Sequence, residues 1–251
     1  MGVKLAAFVA AAALAVLGTV LTPPASASPQ AGCSSGANGS SGYAYAGHQA
    51  NAVAHGIRAT ITALTLPTVT AGHVAAWIGV GGKHAGPNGA DEWLQTGIAA
   101  LPGGAPLVYA EVQRAGSSPT FLSLREKVDV DQPHRLAVLE MQGRPNYWRV
   151  WVDGAPATGP VHLAGSTGRW KPMATAESWN GGRPVCNAFS FRFEQVGVAA
   201  ALGGSWSAFR PGYHFLDRGY RVRPLHSGPA FKRTPAGGAA FRPYAFDAES
   251  V

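Results

Sequence analysis

Three short stretches set a polar side chain beside an aromatic ring at a spacing of two. DEWLQTG (residues 91–97) pairs Trp93 with Gln95. LVYAEVQ (107–113) carries Tyr109, Glu111 and Gln113, and MATAESW (173–179) carries Thr175, Glu177 and Trp179. In an extended strand, residues two apart share a face, so each stretch presents its ring and its acid or amide together. A glutamate can take a proton from water as a general base and later return it. A primary amide can donate a hydrogen bond to an oxyanion as it develops. Glu111 and Glu177 are also a possible carboxylate pair for glycoside hydrolysis, which needs separations of about 5–5.5 Å for retention or 6.5–9.5 Å for inversion. The E-x-D-x-x-E strand of many sandwich glucanases is absent, however. A cleft with aromatic walls and a polar floor would also bind an extended peptide or sugar polymer without reacting on it.

Other chemistries find less support. GCSSG (32–36) matches the G-x-S-x-G nucleophile elbow in letters only, because it lies in a Gly/Ser-rich lead without a strand before it or a helix after it. The eight histidines show neither H-E-x-x-H nor another paired spacing, so no metal is expected. No phosphate-binding glycine loop joins a strand to a helix, and no cofactor is expected.

Strands are the elements that must hold these residues. GIRATITALTL is rich in β-branched residues, and HVAAWIGV, PLVYAEVQ and HRLAVLEMQ read as further short runs. YWRVWVDG ends on Asp153-Gly154, a two-residue hairpin signal. FSFRFEQVGV sets Phe189, Phe191 and Phe193 on one face against Ser190, Arg192 and Glu194. No stretch keeps an apolar i, i+3, i+4 pattern for three turns. About ten strands without helices predict an all-β, two-sheet antiparallel sandwich of jelly-roll, concanavalin A-like type over residues 43–203. Residues 204–251 mix aromatics with Pro, Gly and Arg and read as an extended tail that packs partly on the sandwich.

The N-terminus carries Lys4, an apolar run from Leu5 to Leu21, and Ala25-Ser26-Ala27 as an A-x-A cleavage pattern. Residues 1–27 therefore read as a secretory signal peptide and 28–42 as a flexible lead, giving an exported, soluble product. Gln30 stands three before Cys33 where a lipoprotein signal would place a Leu-like residue. In an oxidising compartment the two cysteines, Cys33 and Cys186, are expected to pair. Of the net charge of +7, residues 204–251 contribute +4, from seven Lys/Arg against three Asp/Glu. That basic tail reads as a solvated segment, so no nucleic acid is expected as partner. Neither is a membrane after signal cleavage, and the chain reads as a monomer.

In order and spacing, AAWIGVGG, DEWLQTG, VYAEV and ATAESW resemble the eqolisins, the glutamic peptidases. That family has a W-x-G strand, an L-Q-x-G strand bearing the catalytic glutamine, an aromatic strand ending in Glu, and a later strand bearing the catalytic glutamate. The resemblance covers roughly Ala75 to Val198 and implies Gln95 as oxyanion donor, Glu177 as general base, and Glu111 as the intervening acid. Trp77, Trp93, Tyr109, Glu111 and Trp179 are expected to line a cleft for polypeptide or another extracellular polymer. Gly81 stands where the family carries Asp, and Ser178 displaces the tryptophan after the glutamate by one position.

Overall fold

The structure is a computed structural model that describes residues 42–183, 185–225 and 244–251. The expected signal segment and Cys33 lie outside these residues, and with Cys33 the expected pairing to Cys186. The described chain is a sandwich of two antiparallel sheets. The front sheet runs in the order β14 (Pro211–Leu216), β1 (Tyr43–Ala50), β11 (Met173–Trp179), β3 (His73–Gly82), β4 (Glu92–Ala100), β5 (Leu107–Gln113) and β6 (Thr120–Arg125). The back sheet runs β10 (Val161–His162), β8 (Tyr147–Val152), β7 (His134–Glu140), β2 (Gly56–Ala63), β12 (Ser190–Ala199), β16 (Tyr244–Ser250) and β15 (Tyr220–Pro224). Two short strands join it at the side, β9 (Ala155–Pro156) on β8 and β13 (Trp206–Ala208) on β12.

The core between the sheets follows from the period of two. The front sheet turns Ala44, Ala46, Ala76, Ala110, Ala174 and Ala176 inward beside larger residues such as Ile78, Leu94, Ile98 and Val108, and the back sheet contributes aromatic rings. Ile57, Ile61, Leu136, Trp148, Phe191, Phe193 and Phe246 are all fully or almost fully buried there. Where alanines line the inner face, bulky side chains from the facing sheet approach the backbone closely. In β12 the alternation of Phe191 and Phe193 breaks where Gln195 takes φ 53° and the ladder shifts between Phe193 and Val196. This β-bulge returns Val196 to the core. Asp153-Gly154 forms the expected two-residue turn, both at positive φ, between β8 and β9.

The reading of residues 204–251 as an extended tail that packs partly on the sandwich is corrected over the described residues. β14 extends the front sheet by pairing with β1, and β16 is an interior strand of the back sheet between β12 and β15. The Phe246 ring stacks on Phe193 at 4.5 Å between centroids. Asp247, buried, accepts from Arg192 Nε at 2.8 Å and from Arg223 Nη2 at 2.6 Å. Burial opposes ionisation of this carboxyl, yet the two guanidinium partners hold it below the usual carboxylate range. The strands were hidden because β16 reads YAFDAES, in which Ala245, Phe246, Asp247 and Ala248 are all buried. A strand covered on both faces loses the alternation that identifies strands.

Candidate active site

The outer face of the front sheet is polar and aromatic where its inner face is aliphatic. Antiparallel register decides which residues meet there. On β3 and β4, Trp77 lies opposite Gly97, and Gly79 lies opposite Gln95. Each bulky residue thus faces a glycine on the neighbouring strand, which gives the W-x-G and L-Q-x-G motifs a shared physical reason. A Cβ at Gly97 would stand 2.0 Å from the Ala76 carbonyl oxygen and 2.8 Å from Trp77 Cβ. One at Gly79 would stand 2.8 Å from Gln95 Cβ. On the far side of β4, Gln95 pairs with Glu111 and Gly97 with Tyr109 on β5. On the near side of β3, Glu177 of β11 pairs with Ala75, and its other neighbour is Tyr45 of β1.

Gln95 and Glu177 therefore share a face, with β3 between their strands. Both line one pocket of about 170 Å³, together with His73, Ala75, Ala99, Leu101, Tyr109, Glu111 and Phe121. No hydrogen bond joins the two among the described residues. Each is held by its own partners. Glu177, 7% exposed, accepts from Trp77 Nε1 on Oε2 at 3.0 Å and meets His73 Nε2 through Oε1 at 3.0 Å. Gln95 Nε2 donates to the Tyr109 hydroxyl at 3.2 Å. One N–H and the carbonyl oxygen of that amide stay available to the pocket.

Trp93, Trp77 and Trp179 were expected to line the cleft, and they do not line this pocket. Trp77, 6% exposed, and Trp93 stand behind it, each with its indole N–H on a carboxylate: Trp93 Nε1 donates to Glu111 Oε1 at 2.8 Å. Trp179 sits at the end of β11, stacked on Tyr43 at 5.9 Å and tilted against His73 at 5.6 Å. An indole offers a donor on a large apolar body, so it can fix a half-buried carboxylate without exposing itself. Tyr109 and Glu111 do line the pocket, and Phe121 stacks on Tyr109 at 5.1 Å. His73, Tyr45 and Phe121 were missed by the sequence reading. The alternation of YAYAG offered a signal for Tyr45, whereas His73 opens β3 and had none.

Electrostatics separate the ionisable groups. Burial pushes the Glu111 carboxyl above its ordinary range; the Trp93 N–H pulls back against this, and the charge on Glu177 adds to the rise. Burial, then the charges of Glu177 and Glu111, keep Tyr109 a neutral phenol far into alkaline conditions. A carboxyl with a raised folded-state value binds its proton more readily folded than unfolded. The fold is then favoured at low pH, and that advantage is lost as pH rises through the folded value. Glu111→Gln keeps an acceptor for Trp93 and removes the buried charge. It is expected to raise Tm at neutral pH, with the gain vanishing below the usual carboxylate range, as thermal melts at both pH values will show.

No protein-family model and no curated protein sequence matches the chain. Solved structures do. The crystal structure of scytalido-glutamic peptidase with a transition state analog inhibitor superposes with a TM-score of 0.52 at 11% identity, covering 84% of this chain and 98% of that one. SCP-B, described as a member of the eqolisin family of peptidases, gives a TM-score of 0.45 at 11% identity over the same shares. The carbohydrate binding module CBM66 from Bacillus subtilis gives 0.32 at 14% identity, over 56% of this chain and 81% of that one. The chain has the fold of scytalido-glutamic peptidase.

Proposed function

We propose that the protein is a glutamic-type endopeptidase that acts outside the cell after cleavage behind Ala27. The observation that carries this reading is the pocket shared by Gln95 and Glu177, with both oxygens of Glu177 gripped by N–H donors. Two N–H donors fix both oxygens of the carboxylate on the wall of the pocket, where a general base must stand. In this reading Glu177 takes a proton from water as the water oxygen bonds to the peptide carbonyl carbon. The free N–H of Gln95 donates to the resulting oxyanion. Glu177 then gives the proton to the amide nitrogen as the C–N bond breaks. General acid–base help is worth about 10²–10⁴ in rate.

Purified protein incubated with denatured casein from acid to neutral pH is expected to yield new peptide termini. Gln95→Ala is expected to slow this by about 10²–10³, the usual cost of one oxyanion donor. No cleavage at any pH would sink the proposal, as would cleavage indifferent to Gln95. A second reading, a carbohydrate-binding module, rests on exposed rings on the same face, Phe121 at 47% and Tyr213 at 59%. It would show as retention on an insoluble polysaccharide that Gln95→Ala leaves unchanged.

A further inference from the structure

The peptidase reading rests on two N–H grips on Glu177, from Trp77 and from His73, both on β3. The His73 grip decides how the carboxylate is oriented. His73 is the first residue of β3, in register with Trp179 of β11. Its Nε2 lies 3.0 Å from Glu177 Oε1, and its side chain is 25% exposed where that of Glu177 is 9% exposed. The ring is fixed on its other sides. Trp179 lies tilted against it at 5.6 Å and Tyr43 of β1 meets it edge-on at 6.0 Å, while the backbone below is held by Asn187 Nδ2, which donates to the His73 carbonyl at 3.4 Å. The charged groups that bear on it are Glu177 on β11 and Glu111 on β5.

We propose that His73 is a positioning residue for Glu177, holding Oε1 through Nε2–H while Trp77 holds Oε2, so that the carboxylate meets its substrate water in one orientation. The inference rests on the peptidase reading for its consequence, though the grip itself does not. Rotation about the terminal bond of a free glutamate is soft, and one donor fixes only one oxygen. Two donors on two oxygens fix the plane of the carboxylate, leaving the second lone pair of Oε1 to face the pocket. Donation from Nε2 needs only the Nε2–H tautomer, and protonation of the ring keeps that donor in place.

The test compares His73→Phe, which keeps the ring and removes the donor, with His73→Gln, which keeps an N–H of similar reach. In the full chain, His73→Phe is expected to lower kcat roughly ten- to a hundredfold, equivalent to one hydrogen bond to a charged group. KM should stay within about twofold, because the loss falls on the chemical step and not on binding. His73→Gln should recover most of the rate. The second readout needs no activity: at one neutral pH the carboxyl-carbon resonance of Glu177 should change position in His73→Phe and return towards its original position in His73→Gln. Unchanged kcat and an unchanged Glu177 resonance in His73→Phe overturn the proposal. A changed resonance in a protein that cleaves nothing keeps the grip and removes the peptidase reading instead.

Discussion

Glu177→Gln is expected to abolish peptide cleavage, with a loss of at least about 10²-fold and up to about 10⁴-fold, while leaving the fold intact. The substitution is nearly isosteric. Its carbonyl oxygen can still accept from Trp77, and the imidazole of His73 can present an acceptor nitrogen to the new amide by changing tautomer. What the amide lacks is a basic lone pair able to carry a proton between water and leaving amine. Single-turnover cleavage of a peptide, beside a thermal melt within a few degrees of the unchanged protein, checks both halves. Residual activity within about tenfold would move the base elsewhere, with Glu111 the nearest alternative in the same pocket.

A chain stopped at Trp206 is expected to lose cooperative folding altogether. It would lack β14, β15 and β16, taking one edge from the front sheet and two strands from the back sheet. Phe246 is fully buried, and removing such a ring typically costs about 3–5 kcal/mol. That is a large part of the roughly 5–15 kcal/mol available to a domain. Along β12 the backbone groups that bond to β16 would be left without partners, and Arg192 would lose Asp247. Soluble yield and a denaturant titration report the outcome. A truncated chain that unfolds sharply near the full-length midpoint would show that the last strands are ornamental.

The elements built on one exposed and one buried face were legible because alternation survives there. FSFRFEQ, YWRVWV and LVYAEVQ all became strands, and short motifs in the right order single out Gln95 and Glu177, which line one pocket. The face they share was legible too, since residue parity fixes it once strands are assigned. Partner choice was not. Trp77 and Trp93 read as walls of a cleft, and only register shows that each turns its N–H to a carboxylate on a neighbouring strand. Gln113 shares the face of Glu111, yet its amide donates to the Arg114 carbonyl and closes a turn. β14, whose Tyr213 and Leu216 are largely exposed, and β16, buried on both faces, lack alternation for opposite reasons.

The position of β16 has a consequence for how the molecule is made. Synthesis is vectorial, and β12 appears some fifty residues ahead of the strand that must lie beside it. Likewise β1, the first described strand, waits for β11 and then β14 before it has neighbours on both sides. Contacts this distant along the chain close slowly. The native sandwich cannot form on the ribosome until residue 250 has emerged, so the nascent chain travels unsealed, with Phe191 and Phe193 lacking their cover. If the chain is exported as proposed, that delay is an asset, since an unfinished sheet still passes a narrow channel. The same delay leaves the growing chain in need of a holding factor until its last strand arrives.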